Sequence, residues 1–168
     1  AAYVDKAREQ GAKILTGGRA ATSEDTNGQH GTGTTDLGAG VYYLPTIIDG
    51  ATREMDCVHD EAFGPTVTIE TFTTEEEAIE IANDTEYGLA GAVYTSDAGR
   101  AERVARALRH GTIWINDFHP YLPQAEWGGY KQSGNGRELG PTGLAEYQEH
   151  KHVYQNLSPA AWEQFGLQ

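Results

Sequence analysis

The sequence predicts an α/β fold, a parallel sheet with flanking helices, followed by a late polar strand suited to pairing with a second subunit. Three observations carry that expectation. Short apolar or β-branched segments alternate with helix-period segments from Thr66 to Asn116, side-chain caps stand where the helices should open, and glycines stand where they should stop. Strand, helix, strand, helix, strand at this spacing calls for right-handed crossovers between parallel neighbours.

Each element can be justified in turn. Tyr3 to Gln10 places Val4, Ala7 and Arg8 at helical spacing, and Gly11 stands where a left-handed residue ends a helix. Ala12 to Leu15 is a short strand before Gly17-Gly18. Residues 19–40 hold almost no large apolar side chain, so they cannot bury enough surface to offset the entropy of ordering. They are expected to form a flexible surface loop inside one domain. Val41 to Ile48 is the next strand, which Pro45 pushes towards an edge or an irregular position. Thr66 to Phe72 alternates and is rich in β-branched residues. Thr74-Glu75-Glu76-Glu77 then matches a capping box opening a helix through Asp84, with Ala78, Ile79 and Ala82 as its apolar stripe. Leu89 to Thr95 is a strand of small residues. Asp97 caps a second helix with Ala101, Val104, Ala105 and Leu108 on one face, stopped by Gly111, and Thr112 to Asn116 is a further strand. Phe118 to Pro123 and the glycine-rich run Trp127 to Gly140 follow the C-terminal end of that strand, where open α/β sheets build ligand sites. Residues 145–156 are the polar strand reserved for another subunit, and 157–168 are a tail.

Composition excludes several classes. Asp and Glu number 25 against 12 Lys and Arg, and the net charge of −13 repels phosphate backbones and anionic membranes. Neither nucleic acid nor a membrane is an expected partner. The same carboxylate excess suits a protein hydrated in concentrated salt, where charges are screened over a few Å, so a halophilic source is one expectation. No stretch approaches the ~18 apolar residues of a spanning helix. A single Cys agrees with a reducing, cytoplasmic compartment. The chain opens without Met on what reads as mid-helix, which leads us to expect a piece of a longer protein.

Two motifs are easily over-read. Gly134-Asn135-Gly136-Arg137-Glu138-Leu139-Gly140 is one residue too long for the dinucleotide fingerprint and no strand feeds into it; a tight turn with close backbone approach is the better account. Cys57 lies among acidic neighbours that raise a thiol pKa, the wrong direction for a nucleophile. The six His residues show no zinc spacing.

Four ordered segments carry a resemblance: Asp60-Glu61-Ala62-Phe63-Gly64-Pro65, Glu86 to Thr95, Trp114-Ile115-Asn116, and Trp127 to Gly140. In order and spacing they are similar to the C-terminal part of the aldehyde dehydrogenase superfamily, and the run Asn116 to Tyr121 most resembles its betaine-aldehyde members. The resemblance covers residues 3 to 155 apart from the loop at 19–40. It implies that 1–144 is the C-terminal part of the catalytic domain and that the full-length protein is a homo-oligomer, dimer or tetramer, oxidising an aldehyde with NAD or NADP.

Site roles also follow from the resemblance. Glu61 is implied to hydrogen-bond the nicotinamide-side ribose, and Phe63 to wall the nicotinamide, fixing it for hydride transfer. Trp127 is implied to face the substrate, its indole suiting a quaternary ammonium; Tyr121 and Phe118 are candidate walls, with ordinary loop packing as their alternative. The backbone carbonyls of Lys131 and Gly134 match a potassium site, and Glu138 matches a proton relay, the alternative being an Arg137–Glu138 ion pair. Glu126 stands where the family usually has Pro, which opens the substrate's identity. The family's nucleophilic Cys and general-base Glu are not recognisable in this chain, so the chain alone is expected to be inactive. Two other readings stay open: a non-catalytic oligomerisation module, and a dehydrogenase for a different aldehyde.

Overall fold

The computed structural model describes residues 1–25 and 36–157. Helix α1 (Ala2–Glu9) buries Val4 and Ala7, and Gly11 takes the left-handed conformation at φ +103° just beyond it. Arg8 leaves the buried face to donate to the Gly18 carbonyl at 2.6 Å. Strand β1 (Lys13–Thr16) pairs antiparallel with β2 (Thr46–Asp49), and β2 pairs parallel with β3 (Thr66–Ile69). The short helix α2 (Asp56–His59) lies on the β2 to β3 crossover. Ala7, Ala12, Ile48, Met55 and Cys57 form the buried core of this half, and an ion pair between Lys6 and Asp56 joins α1 to α2.

The second half is a βαβ unit. Helix α3 (Glu75–Asn83) leads into β4 (Ala90–Val93), α4 (Ala98–Ala107) and β5 (Thr112–Ile115), with β4 and β5 parallel in register Ala90–Thr112 to Val93–Ile115. Thr74 caps α3 by accepting from the Glu77 N–H at 3.1 Å, and Glu77 accepts from the Thr73 N–H at 2.6 Å. The return bond of the capping box therefore reaches one residue further out than the sequence pattern implies. Asp97 accepts from the Arg100 N–H at 2.9 Å, as its position predicts. Glu75 ties α3 to α4 through Arg100 and Arg103 at 3.1 and 3.0 Å.

The α/β class and the parallel pairings stand, but several details differ from the expectation. The strands form two sheets, β1-β2-β3 and β4-β5, so the crossover through α3 does not return to the sheet it left. Periodicity identifies a strand without naming its neighbour, because pairing is a long-range choice. Pro45 precedes β2, where it needs no ladder N–H, and β2 is the central strand of its sheet. Helix α4 ends at Ala107 with Leu108 already extended, and Gly111 serves a different purpose described below.

The span 19–40 is bounded by defined contacts: Arg19 grips Asp25 at 2.7 and 2.8 Å, Ala20 bridges Tyr43, and Asp36 caps a 3₁₀ turn at Leu37–Ala39. The rest of the expected loop lies outside the described residues. The expected strand at 145–156 forms no ladder in this single chain. Its first residues complete helix α5 (Gly140–Ala145) and the turn after it, and 149–157 carry no regular structure. A polar strand is held only by pairing with an edge, and within the described residues this segment pairs with none. No helix among them is long and apolar enough to cross a membrane.

Candidate active site

The site loops hang from the C-terminal ends of α2 and β5. Asp60 to Pro65 connects α2 to β3, with Phe63 at φ +48° and 92% exposed. A bulky residue is rarely held left-handed and in water at once, which makes the position a candidate for binding. Glu61 is exposed beside it and accepts no hydrogen bond among the described residues. Both line a cleft of about 500 Å³ whose opposite wall is Tyr87, Gly88, Leu89, His110 and Ser133. A carboxylate with free lone pairs and a bare aromatic face fit the ribose hydroxyls and nicotinamide of a dinucleotide.

That opposite wall is held by backbone. Gly88 accepts from the N–H groups of Gly111 and Tyr130 at 2.9 and 2.8 Å, and its own N–H donates to the Ser133 hydroxyl at 3.0 Å. Gly111 is fixed by contact: a β-carbon there would lie 1.7 Å from the Gly128 carbonyl oxygen. The Lys131 ammonium donates to the carbonyls of Asn83 and Thr85 at 2.9 and 3.0 Å, neutralising the C-terminal end of α3. Burial lowers the His110 pKa, assisted by the Lys131 charge, and its Nδ1 is buried without a hydrogen-bond partner among the described residues.

A second cluster forms beyond β5. Asn116, at φ +53°, ends the strand by accepting from the Thr95 N–H at 2.8 Å and donating to the Thr95 carbonyl at 2.9 Å. From there the loop folds back over Trp114, whose ring lies 5.7 Å from Phe118, 5.7 Å from His119 and 5.8 Å from Trp127. Tyr121 meets Trp127 edge-on at 5.4 Å. A small, mostly apolar cleft of about 210 Å³ opens among Trp114, Tyr121, Leu122 and Trp127. Trp127 and Glu138 exchange backbone hydrogen bonds at 2.7 Å in both directions, and the Tyr121 hydroxyl donates to Glu138 Oε2 at 3.2 Å.

The structure thus brings Tyr121, Trp127 and Glu138 together. Phe118 reaches Trp127 only through Trp114 and His119. Glu61 and Phe63 occupy the other cleft; Leu89 and Ser133 line both that cleft and a third, of about 360 Å³, which Trp127 and Glu138 also line but which is separate from the aromatic one. Sequence reasoning overlooked Trp114 and His119 as cluster members, although the density of aromatics after β5 was their signal. The alternative Arg137–Glu138 ion pair does not form among the described residues: Arg137 donates to the Gly129 and Gly136 carbonyls and lies over the Tyr130 ring. Glu126 accepts from the Thr142 hydroxyl at 3.1 Å beside the start of α5. The Lys131 carbonyl accepts from the Gly134 N–H at 3.4 Å, and two carbonyls leave a potassium shell mostly unfilled without oxygens from other residues. Cys57 is buried and its pKa is raised, chiefly by burial, with Glu70 a lesser contributor. The direction is as the sequence suggests; the leading cause is not the flanking carboxylates.

Comparison with known proteins agrees with this geometry. The aldehyde dehydrogenase family model matches residues 1–153. A betaine aldehyde dehydrogenase of Bacillus subtilis (strain 168) is 55% identical over 159 residues, 95% of this chain and 30% of its own length. Aminoaldehyde dehydrogenase 2, peroxisomal, of Pisum sativum is 44% identical over 160 residues, 95% of this chain and 29% of its own length. A crystal structure of betaine aldehyde dehydrogenase from Staphylococcus aureus in complex with NAD+ superposes with a TM-score of 0.86 at 49% identity, covering 98% of this chain and 30% of that one. This chain therefore spans under a third of the length of these relatives. The two clefts, the ordered motifs behind them and the family match over nearly the whole chain lead to one conclusion: the chain belongs to the aldehyde dehydrogenase family.

Proposed function

We propose that this chain is the cofactor- and substrate-positioning part of a cytoplasmic, homo-oligomeric NAD(P)-dependent aldehyde dehydrogenase that oxidises betaine aldehyde to glycine betaine. The aromatic cluster at Trp127 is the observation that carries the reading. A quaternary ammonium offers no N–H to donate, so it is recognised by ring faces and by shape, and Trp is the best such face. These relatives are named for aldehydes that carry a nitrogen group, which supports the same substrate class.

In this reading Glu61 accepts the ribose hydroxyls and Phe63 walls the nicotinamide, and the wall around Gly88 and Ser133 sets the distance between cofactor and substrate. Bound NAD(P)+ supplies the hydride acceptor. Cys57 takes no part, because a buried thiol with a raised pKa yields little thiolate. The nucleophile and the general base come from outside these 168 residues, and the chain alone is inactive. A complete potassium site would likewise draw on oxygens beyond Lys131 and Gly134.

The deciding experiment is Trp127→Ala in the full-length enzyme, comparing betaine aldehyde with a neutral aldehyde of similar size. Loss of a desolvated cation–π contact of about 2 kcal/mol should raise KM for betaine aldehyde by more than tenfold relative to the neutral substrate. Equal changes for both aldehydes would overturn the ammonium assignment.

A further inference from the structure

We propose that Glu138 is a positioning residue for substrate selectivity: through the Tyr121 hydroxyl it fixes the ring that closes the aromatic cluster on Trp127. The inference rests on reading that cluster as an ammonium site. It gives Glu138 a task different from moving protons.

Three contacts close a triangle. The Tyr121 hydroxyl donates to Glu138 Oε2 at 3.2 Å, the Tyr121 ring meets Trp127 at 5.4 Å with a 70° interplanar angle, and Trp127 and Glu138 are bridged by two backbone hydrogen bonds of 2.7 Å. The backbone bridge places Glu138 beside Trp127 whatever the side chains do. The carboxylate then has only its own length to span to reach the loop that carries Tyr121.

That loop needs a tether. Tyr121 is 49% exposed, and its chain path passes through His119 at φ +65°, a conformation that local sterics alone do not favour. A phenol held at its edge by an indole and at its hydroxyl by a carboxylate has little rotamer freedom left to lose when a cation enters, so less of the binding energy is spent on ordering. Donation to a carboxylate also makes the ring more electron-rich, which strengthens its attraction for a cation. The carboxylate thus acts on the substrate through the tyrosine.

The proposal is tested by Tyr121→Phe, Glu138→Ala, Glu138→Gln and the Tyr121→Phe/Glu138→Ala double variant in the full-length enzyme, each assayed with betaine aldehyde and with a neutral aldehyde. Removing one such hydrogen bond should raise KM for betaine aldehyde about fivefold in Tyr121→Phe and in Glu138→Ala. The double variant should be no worse than either single one, since both break the same bond. Glu138→Gln keeps an acceptor and should recover most of the loss. A proton relay gives the opposite pattern: Glu138→Gln would lower kcat for both aldehydes with KM intact, and Tyr121→Phe would do nothing. Either of those results, or additive losses in the double variant, overturns the proposal. Trp127→Ala separates the two levels. If it removes the preference for betaine aldehyde and Tyr121→Phe does not alter it, the positioning role alone falls; if it leaves the preference intact, the ammonium reading itself has failed.

Discussion

Replacing Asn116 tests whether the exit from β5 is set by a left-handed backbone held by a side-chain fork. Asn116 sits at φ +53° and makes two hydrogen bonds to Thr95, at 2.8 and 2.9 Å, joining the ends of the parallel pair β4 and β5. The site is exposed, so water recovers part of what is lost, and the two bonds together are worth about 1 kcal/mol at the low end of the usual range. Ala also lacks the short polar side chain that makes the left-handed region tolerable for Asn, a further loss of up to roughly 1–2 kcal/mol. Gly avoids that cost and adds only about 0.5 kcal/mol of chain entropy. Asn116→Ala should therefore lose about 2–3 kcal/mol and Asn116→Gly about 1.5 kcal/mol. At roughly 3 °C per kcal/mol for a chain of this size, the midpoints fall by about 6–9 °C and about 4–5 °C. Thermal unfolding of the 168-residue chain, followed by tryptophan fluorescence and circular dichroism, reads both. An alanine variant no worse than the glycine variant would refute the dihedral argument. Two variants within about 1 °C of the parent would refute the fork, since surface bonds of no consequence move a midpoint by no more than that.

Three further outcomes follow from the same structure. Burial holds His110 below its ordinary pKa of 6.5, so the unfolded chain takes up more protons than the folded one as pH falls. Stability should be intact above pH 6.5 and decline below it, and urea titrations across that range should show a shallower decline in His110→Gln. Gly111→Ala forces a β-carbon to within 1.7 Å of the Gly128 carbonyl oxygen, and backbone must move to accept it. The variant should lose more than about 2 kcal/mol in denaturant melts, and near-parental stability would show that the two segments separate easily. Cys57→Ala in the full-length enzyme should leave dehydrogenase turnover within about twofold while costing some stability by loss of packing; a hundredfold fall in kcat would restore Cys57 as a nucleophile.

Features governed by local chemistry were legible in the sequence. Thr74 and Asp97 cap their helices because a short side-chain oxygen satisfies an N–H within three residues, and no distant contact is needed. Gly11 is equally local. What the pattern could not supply was partnership. Pro45 suggested a peripheral strand, yet the proline stops one residue short and Ile48 is wholly buried in the centre. Gly111 resembled a helix stop, but it is small because Gly128, seventeen positions on, passes against it. At the candidate site, the motifs pointed to Glu61, Phe63 and Trp127. The links from Tyr121 to Glu138 and from Trp114 to Trp127 required the path of the loop after β5, which no spacing rule encodes.

Strand β3 has a hydrogen-bonded neighbour on one side only among the described residues, and its Val67 and Ile69 are 55% and 41% exposed. A bare aliphatic edge of this kind is a template that accepts whichever strand reaches it first. A covalently tethered segment competes at an effective concentration in the millimolar range, against which a separate molecule at micromolar level rarely wins. The fate of this edge is thus a matter of connectivity: a tethered strand that reached it would complete the sheet, and an untethered one would join two molecules.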